Sequence, residues 1–295
     1  MKFLTFIHEG KEQIGVLSLD EKKVLRISRI IGHERYTDMN RFIEEVTDTD
    51  IEILSQVLVN ERNVGVPLEE VMMRSPIIRP KHDIICVGVN YASHIKESSM
   101  FLRDDLENRE KPVYFSKRTT RIIGHDEDIR AFSEIDEELD YEVELAVIIG
   151  KRGKDIPREK AEEYIFGYSI FNDVSARKLQ TEHLQWYKSK SLDTHSVLGP
   201  VIVHKSALSF PIKLDIRSRV NGEVRQESNT ELLMNDISAI ISDFSRGITL
   251  EPGDIIATGT PAGVGKGFNP PRFMKVGDMV ECEIEGIGTL RNRIV

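Results

Sequence analysis

The chain of 295 residues has two cysteines, Cys86 and Cys282, far apart and outside any CxxC spacing. That excludes a disulfide framework and a zinc ribbon, and it suits a reducing compartment. Long apolar runs are missing as well. Runs such as Leu145 to Ile149 reach about five residues, against the roughly 20 that a membrane helix needs. Basic residues are scarce: 40 Lys and Arg stand against 49 Asp and Glu, a formal charge of -9, and no local basic patch offsets it. Nucleic acid and anionic membranes are therefore not expected partners. In MKFLTFIHEG the apolar stretch is interrupted by His8, Glu9 and Lys11 before it reaches the length of a signal-peptide core, so it reads as a first strand and a cytoplasmic location is expected. What is present is ordinary for a globular chain, with 40% hydrophobic and 30% charged residues, enough to build a core without staples.

Residues 1 to 75 read as a small N-terminal α/β domain. FLTFI, IGVLSL and VLRI are short strand-like runs, and Ile51, Leu54, Val57 and Leu58 mark one face of a helix. Pro67, Pro76 and Pro80 punctuate the chain, and a second domain is expected over 76–295. There the strand runs dominate: DIICVGV, VELAVII, YIFGYSIF, VLGPVIV and KLDIRSRV, the last followed by the hairpin signal Asn221-Gly222. Helices are expected after Asn90 as a cap, from Pro157 behind Asp155 as a possible cap, and from Asn235 or Asp236 through Ile237, Ile240, Ile241 and Phe244 to Gly247. Without regular alternation of strand and helix, the fold class is α+β with a mostly-β second domain.

Four segments carry chemistry. In LDYEVELAVIIG, period-two geometry points Asp140, Glu142 and Glu144 to one face. Adjacent like charges repel and ask for a cation if buried, whereas a solvated acidic edge would need none. In GYSIFNDVSARKLQ, Asp173 stands at a strand end, as a ligand or as a helix N-cap. Oxygen ligands without cysteine or paired histidine would select magnesium or manganese. In CVGVNYASHIKE, His94 and Glu97 are neighbours on one helix face, either a general base oriented by a carboxylate or a surface ion pair. DIIATGTPAGVGKG is Gly-rich but fails as a phosphate loop, with Thr260 where a glycine is required and Gly267 where Ser or Thr should follow the lysine. Its exposed amides and the Thr260 hydroxyl suit the grip of a small carboxylate, or form only a tight turn.

Together these segments resemble the fumarylacetoacetate hydrolase superfamily over about residues 76 to 295, in the same order. The resemblance implies that Glu142, Glu144 and Asp173 bind Mg2+ or Mn2+, with Asp140 a member of the motif but not a ligand. It implies catalytic roles for His94, Glu97 and Lys190, and substrate contacts from Arg177, Gln180 and Thr260. This chain departs from the family pattern at Ser196-Val197, Lys178 and Arg118. The implied fold is a mixed β-roll, usually a homodimer, behind a small variable N-terminal domain. The implied reaction is metal-dependent cleavage of a carbon-carbon bond in a small 2-oxo acid through an enolate, by acylpyruvate-type hydrolysis or oxaloacetate-type decarboxylation. Isomerases and hydratases of related oxo acids from aromatic catabolism are the alternative, as is a non-catalytic oxo-acid-binding protein. The charged segment around residues 92 to 110 is expected to close over the ligand.

Overall fold

The computed structural model describes residues 1–32, 36–60, 65–98 and 111–295. The strands are β1 Lys2–His8, β2 Lys11–Leu17, β3 Lys23–Arg26, β4 Val66–Pro67, β5 Met72–Arg74, β6 Ile84–Gly88, β7 Val113–Lys117, β8 Leu139–Asp140, β9 Val143–Ile149, β10 Ile165–Asp173, β11 Ser175–Ala176, β12 Ser196–His204, β13 Asp215–Val220, β14 Glu223–Asn229, β15 Ile255–Ala257, β16 Met279–Ile284 and β17 Gly288–Arg293. The α-helices are α1 Ile27–Ile30, α2 Met39–Glu45, α3 Asp48–Asn60, α4 Ala92–Ser98, α5 Arg177–Glu182 and α6 Ile237–Phe244.

One large sheet has the order β4-β3-β2-β1-β12-β10-β9-β15-β6-β7, with β5 also on β1, and a smaller sheet has the order β14-β13-β16-β17. Pairing is antiparallel except between β15 and β6, which gives the mixed, sheet-dominated α+β architecture. The N-terminal strands extend the same sheet: β1 pairs with β12, and Phe3 packs against Phe166 of β10 with ring centroids 5.6 Å apart. Strands from both sides of residue 75 therefore share one sheet.

The centre of the sheet is β9 and β10, every residue of which is buried. Both faces are covered, so the runs read as continuously apolar rather than alternating. Period two still sorts the side chains of β9: Val143, Leu145, Val147 and Ile149 enter one core cluster, while Ala146 and Ile148 enter another on the face of Glu144. The Asn221-Gly222 hairpin joins β13 to β14 with both turn residues at positive φ, 53° and 80°. Asp236 caps α6, accepting from Ala239 N–H at 2.8 Å. The helix expected behind Asp155 is a 3-10 turn over Arg158–Tyr164, and Asp155 instead accepts from Gly247 N–H, 92 positions along the chain. No helix among the described residues is long and apolar enough to cross a membrane.

Candidate active site

Antiparallel register assembles the carboxylates. Phe171 lies opposite Glu144 and Asn172 opposite Val143, so the ladder continues to Asp173, whose N–H donates to the Glu142 carbonyl at 2.9 Å. Glu144 on β9, Glu142 in the link between β8 and β9, and the Asp about thirty residues later are thus neighbours, so the single strand expected over Asp140 to Glu144 is interrupted at residues 141–142. Oxygens of Glu142, Glu144 and Asp173 come within 4.8 Å of one another, all three side chains being buried. Burial excludes the solvated acidic edge. Asp173 ends β10 and caps no helix, since the cap position of α5 is Ala176.

Asp140 is also buried, but its oxygens are taken. Oδ1 accepts from Tyr141 N–H at 2.9 Å and Gly265 N–H at 2.6 Å, and Oδ2 accepts from Arg177 Nε at 2.9 Å and Lys266 N–H at 3.0 Å. The cation that burial demands is supplied first by the protein. Lys190 Nζ bridges Glu142 Oε2 at 2.7 Å and Asp173 Oδ2 at 2.8 Å, and Arg177 approaches Glu142 Oε1 at 2.7 Å. Lys117 Nζ donates to Asp173 Oδ1, to the Val174 carbonyl at 3.0 Å and to the His195 carbonyl at 2.7 Å. Among the described residues, four buried carboxylates therefore face three buried cations.

The residual negative charge falls on Glu144. Burial, then the Asp173 and Glu142 charges, push its carboxyl well above the usual range, and the Lys190 charge and then the Gly259 N–H at 2.8 Å compensate only in part. Burial acts the same way on Glu142, but Lys190 and Arg177 outweigh it and hold that carboxyl down at about 2. A divalent ion would relieve the charge excess at Glu144, and a cage of carboxylate oxygens fits Mg2+ or Mn2+.

The Gly-rich loop after β15 supplies backbone donors to these groups. Gly259 N–H binds Glu144, Gly263 N–H binds Glu97 Oε1 at 2.9 Å, and the Gly265 and Lys266 amides bind Asp140. The sequence suggests amides that grip a small carboxylate; the carboxylates gripped here are the protein's own. The Thr260 hydroxyl donates to the Val143 carbonyl at 2.8 Å and accepts from Gln226 Nε2 at 2.7 Å. Its contacts in this structure are with the protein, although it lines the cleft.

Helix α4 places His94 and Glu97 beside that loop. His94 Nδ1 is 2.9 Å from Glu97 Oε2, with side chains 8% and 12% exposed, which excludes a surface ion pair. Asn90 is not a helix cap. Its amide donates to the carbonyls of Thr258 at 2.9 Å and Asn235 at 3.0 Å and accepts from Asn235 N–H at 2.8 Å, tying the root of α4 to two neighbouring segments. The expected closing segment runs beyond Ser98 into residues 99–110, which lie outside the described residues.

His94, Glu142, Glu144, Arg177, Gln180, Lys190 and Thr260 line a cleft of about 370 Å3, counting space open to solvent, with walls of Val87, Phe115 and Trp186. Arg177 donates through Nε to Asp140 and through Nη1 to Gln180 Oε1 at 3.1 Å, and its Nη2 forms an ion pair with Glu142 without hydrogen-bond geometry. Residues 83–295 match the family model described as fumarylacetoacetate (FAA) hydrolase, C-terminal. The chain belongs to the fumarylacetoacetate hydrolase family.

Oxaloacetate tautomerase YisK of Bacillus subtilis (strain 168) is 45% identical over 227 residues, 77% of this chain and 74% of that protein. The structure of fumarylacetoacetate hydrolase (EaFAH) from psychrophilic Exiguobacterium antarcticum superposes with a TM-score of 0.83 at 39% identity, covering 100% of this chain and 99% of that one. Maleylpyruvate hydrolase from Sphingobium sp. SYK-6, in complex with manganese (II) ion and pyruvate, superposes with a TM-score of 0.78 at 29% identity, covering 100% and 99%.

In this fumarylacetoacetate hydrolase family chain, sequence reasoning missed Lys117. The signal was a lysine ending the apolar run VYFSK, since a strand lysine with no exposed surface needs an acceptor. The neighbouring departure at Arg118 has a local use. Its N–H donates to Ser191 Oγ at 3.0 Å, a bond that a proline there would remove, and Ser191 follows Lys190.

Proposed function

We propose that this protein is a divalent-metal-dependent enzyme acting on a small 2-oxo acid, and that its reaction moves a proton at the carbon beside the ketone, as in keto-enol tautomerisation of oxaloacetate. The observation that carries this reading is buried His94, paired with the largely shielded Glu97, on the wall of a cleft that Glu142 and Glu144 also line. The similarity to an oxaloacetate tautomerase supports it.

Bound by Glu142, Glu144 and Asp173, Mg2+ or Mn2+ would supply Lewis-acid polarisation of the ketone. The remaining work belongs to side chains. Glu97 accepts a proton bond from His94 Nδ1, which leaves the basic lone pair on Nε2. That nitrogen takes the proton from carbon and gives it back at the enol oxygen, or the reverse, and no carbon-carbon bond breaks. Lys190 and Arg177 keep Glu142 and Asp173 aligned, while Phe115, Trp186 and Val87 shield the cleft from water.

A second reading is hydrolysis of an acylpyruvate, in which the same base activates water and carbon-carbon cleavage follows. The likeness to maleylpyruvate hydrolase holding manganese and pyruvate favours it. The two separate in one assay. Oxaloacetate enol absorbance and pyruvate release are followed with Mg2+ and with Mn2+, then acetylpyruvate and fumarylpyruvate are tried. Faster enol-ketone exchange without pyruvate supports tautomerisation. Pyruvate from the acylpyruvates establishes cleavage instead, and pyruvate from oxaloacetate decarboxylation. No effect on any of them overturns the enzymatic reading.

A further inference from the structure

Gly267 is not demanded by its backbone, because its φ lies outside the left-handed region that favours glycine. Space demands it. A Cβ at this position would stand 1.9 Å from Glu97 Oε1, 2.2 Å from Glu97 Cδ and 2.5 Å from Glu97 Cγ, its three nearest atoms. All three belong to the end of one flexible side chain, so a substitution would leave the main chain in place and displace the Glu97 carboxylate.

That carboxylate has two tethers to lose. Oε1 accepts from Gly263 N–H at 2.9 Å, and Oε2 faces His94 Nδ1 at 2.9 Å. The loop from Gly263 to Gly267 thus forms a seat with one donor at its back and a bare edge where a side chain would intrude. We propose that Gly267 is a positioning residue that keeps this seat open, so that Glu97 can dock on Gly263 and orient His94. The proposal rests on the reading of His94 and Glu97 as the proton-transfer pair. Its structural half, the seat itself, stands apart from the identity of the substrate.

Gly267→Ala, Glu97→Ala and the double variant are compared with the parent in two measurements: turnover of the best oxo acid with saturating Mn2+, and hydrogen exchange of the 260–268 peptide. Gly267→Ala is expected to lower kcat about a hundredfold, the scale of losing an oriented base, with little change in Mn2+ affinity by calorimetry. It should also raise exchange at 260–268 to the level of Glu97→Ala. In the Glu97→Ala background it should add nothing to either measurement, because the group it displaces is gone. Losses that add in the double variant would show general damage to the loop and overturn the proposal. So would a Gly267→Ala protein within a few-fold of the parent, or one whose 260–268 exchange is unchanged. If no oxo acid is turned over, the exchange measurement still decides the seat while the functional reading fails separately. Should Gly267→Ala fold poorly, the double variant is expected to fold like Glu97→Ala, and its failure to do so would also overturn the seat.

Discussion

Lys117 Nζ donates a hydrogen bond to Asp173 Oδ1 with both side chains wholly shielded from solvent. Two carbonyls complete the ammonium's three acceptors, so the cation is fully satisfied even though burial lowers its pKa. Lys117→Met fills the space but leaves Asp173 with Lys190 as its one remaining cation. Breaking a buried pair on one side costs about 3–5 kcal/mol, and that loss is expected in urea unfolding without added metal. Lys117→Met/Asp173→Asn should recover part of it; an unchanged midpoint in the single variant would show that the pair contributes nothing.

Glu144→Gln tests the cage. Losing supporting groups around a metal costs about 10–100-fold in affinity, so losing a ligand should weaken Mn2+ binding by more than that in calorimetry. Without metal the variant should be at least as stable as the parent, because burial and the Asp173 and Glu142 charges already oppose ionisation of Glu144. Equal Mn2+ affinity in the two proteins would remove Glu144 from the ligand set.

His94 and Glu97 are expected to act as a unit. His94→Ala and Glu97→Ala should each lower turnover about a hundredfold, and the double variant should be little worse than the worse single one. Metal affinity should hold. Turnover within a few-fold of the parent for every accepted oxo acid would leave the pair a structural feature.

His195 sets a pH dependence of stability. Burial first, and then the Lys117 charge, push its imidazole down to about 3, while Nε2 donates to the Arg130 carbonyl at 3.0 Å. A folded pKa below the unfolded value means that the unfolded chain binds the proton first, so this contribution is lost as pH falls below about 6.5 and continues to be lost until about pH 3. By pH 5 the loss from this residue is about 2 kcal/mol. With His195→Gln, which can keep the donor, the parent-minus-variant difference in unfolding free energy is expected to be flat above pH 6.5 and to fall as pH drops from 6.5 toward 3. A pH-independent difference would refute the assignment.

An Asp at a strand end, and a His and Glu one helical turn apart, were legible in the chain because each depends on local geometry; the single carboxylate-bearing strand was not, since Asp140 ends β8, Glu144 is on β9 and Glu142 lies between them. The sheet-dominated α+β class was legible from local geometry too, as were the Asn221-Gly222 hairpin and the helix through Ile237 to Phe244, whose start the sequence left between Asn235 and Asp236. The roles of Asp155 and Asn90 were not. Both residue types cap helices in the abstract, and both are used here to bind segments remote in sequence.

Sequence alone determined which residues could supply oxygen ligands and a base, since side-chain chemistry and spacing along one strand or helix need no fold to be read. Tertiary structure decided which carboxylates remain available. Asp140 and Glu144 share a period-two spacing in the sequence but fall on β8 and β9, and four donors saturate the first, while Gly259 is the hydrogen-bond donor to the second among the described residues. It also decided what the Gly-rich loop is for. Its amides meet carboxylates 115, 125 and 166 positions away, separations over which no local pattern carries information, because only the folded chain brings the two ends of each bond together.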